Sequence, residues 1–246
     1  MANRKSVLIT GASGDIGQSL CQGFKDLGWT VIATDRNRIQ SIKADHFIVM
    51  DLDLICNNDA YFIDKIKSIK KLIPGELTTL INNAALQIVK PAKEISLQDW
   101  QRTLNTNLTA PFILSMAFLD ELKAVYGSII NISSIHAKLT KPNFVAYSTS
   151  KAGLSGLTKS LAVEIGDKVR VNSISPAAIN TQMLMKGFTD NLSGLNKLAD
   201  YHPSKIIGTT TDVLDAAIYL ANGDKFVNGL EITLDGGISG RLHDPN

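Results

Sequence analysis

The sequence predicts an α/β fold in which a seven-stranded, mainly parallel sheet is covered by helices on both faces. Short runs of β-branched residues alternate along the whole chain with longer segments of helical periodicity. Parallel strands need crossover connections, and each crossover lays a helix on the sheet. No linker or low-complexity segment interrupts the alternation, so residues 1–246 are predicted to form one doubly wound domain.

The predicted strands are short, apolar and flanked by turn residues. They are Ser6–Thr10, Thr30–Thr34, Phe47–Met50, Thr78–Ile81, Ser128–Ile132, Val169–Ser173 and Glu231–Leu234. Helical periodicity predicts the main helices at Ile16–Leu27, Tyr61–Leu72, Leu97–Lys123, Ala146–Ile165 and Thr211–Leu220. The segment between Asp35 and Asp51 is short, so a helix there should be truncated.

Composition excludes several classes of partner. The net charge of +2 leaves no electrostatic footprint for nucleic acid or an anionic membrane surface. No apolar run approaches the length needed to cross a bilayer. We therefore expect a protein that acts on a small-molecule substrate and binds neither nucleic acid nor membrane.

The cysteines and histidines predict no metal site. Cys21 and Cys56 are isolated, and each of the four histidines is solitary, so metal-ligand spacing is absent. Bland thiols of this kind are typical of a reducing compartment. The N-terminus runs directly into the first strand without a signal-peptide pattern, and we expect a cytoplasmic location.

A glycine loop follows the first strand. Its sequence runs Thr10-Gly11-Ala12-Ser13-Gly14-Asp15-Ile16-Gly17. Glycines allow the backbone to approach a pyrophosphate, and the N–H groups and dipole of the helix that follows attract its charge. A glycine pattern alone is a weak signal, but this one lies between a strand and a helix at the start of the chain, which predicts a dinucleotide site.

Asp35 ends the second strand and predicts the type of dinucleotide. A carboxylate there can accept hydrogen bonds from both ribose hydroxyls and repel a 2′-phosphate, which favours NAD over NADP. Arg36 leaves NADP open, because it could pair with the phosphate. The alternative for Asp35 is an N-cap before a helix at Asn37–Ile42. Asp51 and Leu52, after strand three, can hold the adenine.

Tyr147 and Lys151 are four residues apart on a predicted helix and therefore share a face. A neighbouring ammonium favours the phenolate, so Tyr147 could exchange a proton with an alcohol or carbonyl. Two other pairs have this spacing, Tyr61 with Lys65 and Tyr201 with Lys205. Only Tyr147 follows a strand that ends in serines. We favour Ser134 over Ser133, because consecutive residues at a strand end point to opposite faces.

With these motifs the chain resembles the short-chain dehydrogenase/reductase family, specifically its shorter single-domain members with a Rossmann fold. The resemblance extends from Val7 to about Gly237. Besides the residues above, it rests on Asn82-Asn83-Ala84-Ala85, Asn107 within Asn105–Leu108, Ser175-Pro176 and the closing Leu234-Asp235-Gly236-Gly237.

The resemblance implies a catalytic tetrad and a homotetramer, and Asp35 favours NAD as the cofactor. Ser134 would orient the substrate oxygen, Tyr147 would act as acid/base, Lys151 would bind the nicotinamide ribose and lower the tyrosine pKa, and Asn107 would support a proton-relaying water. From the residues alone, Asn107 is a helix-interior amide that faces a neighbour. The cofactor-binding residues predicted within the glycine loop are Gly11, Ser13, Asp15, Ile16 and Gly17, followed by Asp35, Arg36, Asp51 and Leu52. The resemblance adds Asn83, Ala84, Tyr147, Lys151, Pro176, Ala178, Ile179 and Thr181.

Two residues depart from the family pattern. Asp15 stands where the shorter members carry their second glycine, and Gly14 gives the spacing of the longer, epimerase-like members. We expect Asp15 to cap the helix it opens, turned away from the pyrophosphate. Ala177 replaces the usual glycine after Pro176, which could narrow the pocket floor.

Residues 176–208 are predicted to form a substrate-binding lid, because they are rich in Met, Asn and Gly and weakly patterned. The alternative is a surface helix with an adaptable apolar face. Candidate substrate residues are Gln87, Ser134, His136, Phe144, Ala177 and Leu184, with Leu86, Ile135 and Met183 beside them. His136 and Gln87 favour a small polar alcohol such as a sugar or polyol.

Three rival functions remain open at this stage. A 3-oxoacyl thioester reductase would usually prefer NADPH, which Asp35 disfavours. A nucleotide-sugar epimerase or dehydratase fits the glycine spacing but carries an added C-terminal domain. A non-catalytic NAD-binding protein would be free to lose Tyr147 or Lys151.

Overall fold

Seven parallel strands form one sheet in the computed structural model, which describes residues 4–73, 76–187 and 192–242. The strands are β1 (Ser6–Thr10), β2 (Thr30–Asp35), β3 (His46–Val49), β4 (Thr79–Asn82), β5 (Ser128–Ile132), β6 (Arg170–Pro176) and β7 (Glu231–Leu234). Their spatial order is β3-β2-β1-β4-β5-β6-β7. The order reverses between β1 and β4, and ligands of open α/β sheets bind outside the carboxyl ends of the strands at such a point.

Helices cover both faces of the sheet, as the sequence predicts. They are α1 (Asp15–Asp26), α2 (Leu52–Asn57), α3 (Asp59–Lys70), α4 (Leu97–Leu104), α5 (Ala110–Ala117), α6 (Leu119–Lys123), α7 (Val145–Glu164), α8 (Gln182–Lys186), α9 (Leu192–Tyr201) and α10 (Thr210–Asn222). Within the described ranges, none combines the length and apolar character needed to cross a membrane.

Alternation along the strands divides the core into two layers. Val7 and Ile9 of β1 pack with α1 and α10, whereas Leu8 packs on the opposite face with α5 and α7. All three side chains are fully buried. A parallel sheet buried on both faces needs such uninterrupted apolar strands, and the Rossmann architecture follows from them.

The helical segment predicted at Leu97–Lys123 is confirmed, although the structure divides it into α4, a π-helical turn at Asn105–Thr109, α5 and α6. Pro111 lies at the second position of α5 and has no N–H to donate to the preceding turn. A π-helical turn just before it accommodates that lost hydrogen bond. The turn carries Asn107 into the interior.

The helix expected between Asp35 and Asp51 does not form. An irregular segment connects β2 to β3. Asp45 anchors this segment, because its carboxylate accepts a hydrogen bond from the Val31 N–H at 2.8 Å and pairs with Lys25 at 2.5 Å. Asp35 therefore caps no helix.

The segment predicted as a weakly structured lid contains more regular structure than expected. Pro176 is the last residue of β6, and α8 and α9 follow it, while residues 188–191 lie outside the described ranges. Thr181 caps α8 by accepting a hydrogen bond from the Leu184 N–H at 3.2 Å. Helix α8 has only five residues, too few to show a helical period, which explains why the sequence pattern missed it.

Candidate active site

The glycine loop between β1 and α1 is closely packed against the turn after β4. Gly11 has a φ of +66°, and a Cβ there would lie 2.6 Å from the Ala84 Cα. A Cβ on Gly17 would lie 2.1 Å from the Gly11 carbonyl oxygen. Both contacts are with backbone atoms, so only glycine fits at these two positions.

The first turn of α1 is suited to an anion. The N-cap residue is Gly14, and no side chain caps the helix. A Cβ on Gly14 would meet nothing closer than 3.6 Å, so the loop leaves open space there. Uncapped N–H groups at the start of a twelve-residue helix, beside a glycine that leaves room, fit the pyrophosphate of a dinucleotide.

Asn83 and Ala84 hold the loop from the neighbouring strand. The Asn83 side-chain amide donates hydrogen bonds to the carbonyls of Thr10 and Gly11 at 2.9 and 3.0 Å. The Thr10 hydroxyl accepts hydrogen bonds from the backbone N–H groups of Asn83 and Ala84. These residues, assigned to the cofactor from the family resemblance, shape the loop in which the cofactor would lie.

Asp35 lies at the carboxyl end of β2, beside the glycine loop. Its two carboxylate oxygens accept hydrogen bonds from the backbone N–H groups of Ser13 at 2.9 Å and Arg36 at 2.6 Å. Each carboxylate oxygen can accept further bonds. Arg36 is exposed, and Asp51 caps α2 through the Asp53 N–H at 2.8 Å.

Asp15 does not cap α1, contrary to the prediction from the sequence. It is the first residue of the helix, one position beyond the N-cap. Its carboxylate instead accepts a hydrogen bond from the Gln182 N–H at the start of α8, at 2.5 Å. Asp15 thus connects the glycine loop to the predicted lid.

Tyr147, on α7, meets Ser134 at the end of β5. The Ser134 hydroxyl lies close enough to the phenol to lower the pKa of Tyr147. The same hydroxyl donates a hydrogen bond to the Pro176 carbonyl at 3.5 Å and accepts one from the His136 N–H at 3.2 Å. The Ser133 hydroxyl lies on the other face, where it donates to the Lys151 carbonyl at 3.2 Å. The structure therefore brings Ser134, and not Ser133, to the phenol.

Burial is the main influence on the pKa of both titratable side chains, Tyr147 and Lys151. Tyr147 is 9% exposed and Lys151 is 1% exposed. Burial raises the pKa of Tyr147 to about 12, although a hydrogen bond from Ser134 opposes the rise. Burial lowers the pKa of Lys151 to about 7.

The expectation that Lys151 lowers the tyrosine pKa stays a prediction, because burial is the largest influence on the pKa of Tyr147 in the chain by itself. The Lys151 ammonium lies 5.7 Å from the centre of the Tyr147 ring and donates a hydrogen bond to the Ile132 carbonyl at 2.7 Å. Removing both groups from water disfavours the charged form of each. Sequence spacing predicts that the two residues are close but carries no measure of this desolvation.

Asn107 is fully buried in the π-helical turn. Its side chain accepts a hydrogen bond from the Leu86 N–H at 2.7 Å and donates to the Leu86 carbonyl at 2.9 Å. It also donates to the Ser150 hydroxyl at 2.9 Å. These contacts fit the expectation of an amide facing a neighbour, and they fix the segment after β4 against α7.

The two competing Tyr–Lys pairs lie elsewhere. The Tyr61 oxygen accepts a hydrogen bond from the Asp51 N–H at 2.9 Å, with Lys65 over its ring. Helix α9 ends at Tyr201, and Lys205 has a φ of +60°, so no helix joins that pair.

An aromatic group forms one side of the site. The rings of His136 and Phe144 stack with centroids 4.8 Å apart, and both meet the Tyr147 ring edge-on at about 6 Å. Burial, and secondarily the charge of Lys141, lowers the pKa of His136, which favours the neutral ring.

The other predicted cofactor and substrate residues occupy the strand ends and the segment beyond β6. Ala177 donates its N–H to the Leu234 carbonyl at 2.8 Å, and Ala178 accepts a hydrogen bond from the Gly208 N–H at 3.0 Å. The half-buried members are Leu86, Gln87, Ile135, Ala177, Ala178, Thr181 and Leu184, whereas Pro176 and Ile179 are buried and Met183 is exposed.

Comparison with known proteins assigns the family. The model of the short chain dehydrogenase family matches residues 5–192, which is most of the chain. The chain belongs to this family. It is an oxidoreductase of the short-chain dehydrogenase type, as the motifs predict.

Similar proteins act on different alcohols. The chain is 29% identical to a 3β-hydroxysteroid dehydrogenase 1 of Eggerthella lenta, over 96% of this chain and 94% of that protein. A 4-hydroxyisoleucine dehydrogenase complexed with NADH is 28% identical, with a TM-score of 0.86 over 97% of this chain and all of the other. The aldohexose dehydrogenase of Thermoplasma acidophilum is 29% identical, with a TM-score of 0.88 over 99% and 98% of the two chains. A further similar structure contains NADP.

Sequence reasoning assigned no catalytic or binding role to Glu231, whose carboxylate accepts hydrogen bonds from the hydroxyls of Ser155 and Ser175. The signal that could have identified Glu231 is a charged residue at the first position of a predicted strand.

The close contacts of the loop predict different costs for two glycine substitutions. Gly17→Ala places a methyl group against a carbonyl oxygen that cannot move freely, and should destabilise the fold by about 1–3 kcal/mol. Gly14→Ala, the matched control, should cost less than about 1 kcal/mol, since only the N-cap preference changes. Urea unfolding of both variants measures this, and equal midpoints would contradict the packing of Gly17.

Proposed function

We propose that the protein interconverts a secondary alcohol and a ketone by hydride transfer with NAD(H), using Tyr147 as the acid/base. The observation that supports this most strongly is the buried contact between Tyr147 and Ser134, with Lys151 5.7 Å from the phenol ring. This group lies at the same edge of the sheet as the glycine loop, where a dinucleotide would extend from α1 towards α7.

Ser134 and Tyr147 would together hold the reacting oxygen. In the reductive direction the protonated phenol, which burial stabilises, gives its proton to the carbonyl oxygen. In the oxidative direction the phenolate takes the proton of the alcohol, and the Ser134 hydroxyl keeps the oxygen in place. When bound, the nicotinamide would supply the hydride acceptor or donor.

Lys151 and Asn107 would act around this proton transfer. Lys151 would bind the nicotinamide ribose, and a pKa near 7 allows its amine to exchange a proton at neutral pH. The buried contacts of Asn107 with Leu86 and Ser150 would keep the segment after β4 and α7 in register.

Replacing Tyr147 by phenylalanine should lower the rate about a hundredfold or more, because the proton carrier is lost while the ring remains. Wild-type alcohol oxidation should also accelerate as pH rises, since the phenolate is the active base and burial holds the tyrosine pKa high. NADH absorbance across an alcohol panel and a pH series measures both effects. Full activity of Tyr147→Phe would exclude the assignment.

Asp35 supports NAD as the cofactor. Its carboxylate lies beside the glycine loop, and its oxygens can accept further hydrogen bonds from ribose hydroxyls. The negative charge of the carboxylate would repel a 2′-phosphate at the same place. Exposed Arg36 is the feature that would allow NADP.

Asp35→Asn removes this repulsion and should lower the ratio of kcat/KM for NAD to that for NADP by about tenfold or more. Asp26→Asn, which makes the same charge change at the exposed far end of α1, is the matched control. A ratio that Asp35→Asn leaves unchanged would mean that Asp35 does not select the cofactor.

We propose a small polar alcohol, such as a sugar or polyol, as the substrate. Neutral His136 lies beside the Tyr147 ring and could hydrogen bond a second hydroxyl of the substrate. Gln87 is half-buried and follows Leu86, whose N–H donates to Asn107. The similarity to an aldohexose dehydrogenase agrees with this proposal. A 3-oxoacyl thioester is the alternative to include in the panel.

His136→Ala should reduce the preference for polyols over simple secondary alcohols by about tenfold, the effect of one lost hydrogen bond. His46→Ala, at the far edge of the sheet, is the control. Unchanged specificity in His136→Ala would remove the basis for a polar substrate.

We also propose a homotetramer in the cytoplasm. Large apolar side chains are exposed on α5 (Phe112), α7 (Val163) and α10 (Tyr219), and Phe226 is fully exposed. Faces of this kind are typical of subunit contacts. Size-exclusion chromatography with light scattering should give the mass of four chains, whereas the mass of one chain would contradict the proposal.

Both free cysteines agree with a reducing compartment, which supports the proposed cytoplasmic location.

A further inference from the structure

We propose that Glu231 is a positioning residue for the oxidoreductase reaction, because its carboxylate joins three segments that carry groups of the site. The inference rests on the proposed function. Glu231 lies on β7 behind the site, and its side chain is only 9% exposed.

Three side chains surround the carboxylate. One oxygen accepts hydrogen bonds from the hydroxyls of Ser175 at 2.6 Å and Ser155 at 3.3 Å. The other oxygen pairs with the Lys138 ammonium at 2.9 Å. These partners come from β6, from α7 and from the turn after β5, so a single carboxylate links four elements.

Two of the contacts lead directly to groups of the site. Ser175 precedes Pro176, which the resemblance places beneath the nicotinamide amide. Lys138 follows His136 by two residues and Ser134 by four, so its ion pair ties that turn to β7.

The third contact leads past Lys151 to the end of β5. Ser155 lies one helical turn beyond Lys151 and shares a hydrogen bond of 3.0 Å with the Ser133 hydroxyl. Each hydroxyl has one proton, so when Ser155 donates to Glu231 the Ser133 hydroxyl donates to Ser155, and the Lys151 carbonyl at 3.2 Å is its alternative acceptor. The third contact therefore leads through the α7 turn beyond Lys151 to the strand end that carries Ser133 and Ser134.

The carboxylate is ionised at neutral pH. Burial alone would raise the pKa of Glu231, but hydrogen bonds from Ser175 and Lys138, the Lys138 charge and the Ser155 hydroxyl hold it below its usual value. The Lys138 side chain is exposed, but the Glu231 carboxylate is mostly buried and also accepts two hydroxyl hydrogen bonds, so it couples the groups around it. Every partner of Glu231 belongs to a segment of the site, so its loss should affect the reaction more than the fold.

The test is a double-mutant cycle in the full-length protein. Glu231→Gln and Lys138→Met should each lower kcat/KM for the alcohol about tenfold, and the double variant should lose little more than either alone. Asp45→Asn is the matched control, because Asp45 also pairs with a lysine and a second donor but lies far from the site. Its kcat/KM should equal that of the wild type. Unchanged kcat/KM in Glu231→Gln, or losses that multiply in the double variant, would overturn the inference.

Amide hydrogen exchange separates this inference from the proposed function. In Glu231→Gln, peptides covering residues 133–139 and 173–177 should exchange faster than in the wild type, and the β1–α1 peptides should not. A wild type that oxidises no alcohol would refute the proposed function while leaving exchange to decide the role of Glu231. Exchange that is unchanged, or raised equally throughout the chain, would refute the positioning role.

Discussion

The burial of Tyr147 and Lys151 together is the constraint on which the rest of the site depends. Both side chains are removed from water without a carboxylate beside them among the described residues, so each shifts towards its neutral form. Each unit of pKa shift corresponds to ~1.4 kcal/mol. The phenol is therefore a ready proton donor but needs a positive charge to become a base. An oxidised nicotinamide would bring that charge at the moment when alcohol oxidation requires it.

The fold places these groups through elements that meet at one edge of the sheet. Alternation at the end of β5 turns Ser134 towards the phenol and Ser133 towards the Lys151 carbonyl. The π-helical turn brings Asn107 into contact with Leu86 and Ser150. The Glu231 carboxylate connects β7 to this group through Ser175, Ser155 and Lys138. The apolar layers on both faces provide stability, whereas in the proposed reaction this polar group would set where the reacting atoms lie.

Much of the fold could be predicted from the sequence, because periodicity reports which faces are buried. All seven strands were predicted within two residues at each end except β6, which continues three residues further to Pro176. Local breaks in regular structure were missed: a π-helical turn precedes Pro111, and α8 is too short to show a helical period. The tyrosine–lysine pair could be found from spacing, but the direction of its pKa shifts could not, since desolvation depends on the whole packed structure. Asp15 and Glu231 depend on contacts between distant segments, which no local pattern records.

The most direct test is an absorbance titration of tyrosine ionisation, taken as the difference between the wild type and Tyr147→Phe so that the other four tyrosines cancel. In the absence of cofactor, Tyr147 should remain protonated well above the ordinary value of 10.0. Addition of NAD should shift its ionisation to lower pH. Ionisation at the ordinary value in the free protein, or a titration that NAD does not move, would contradict the account.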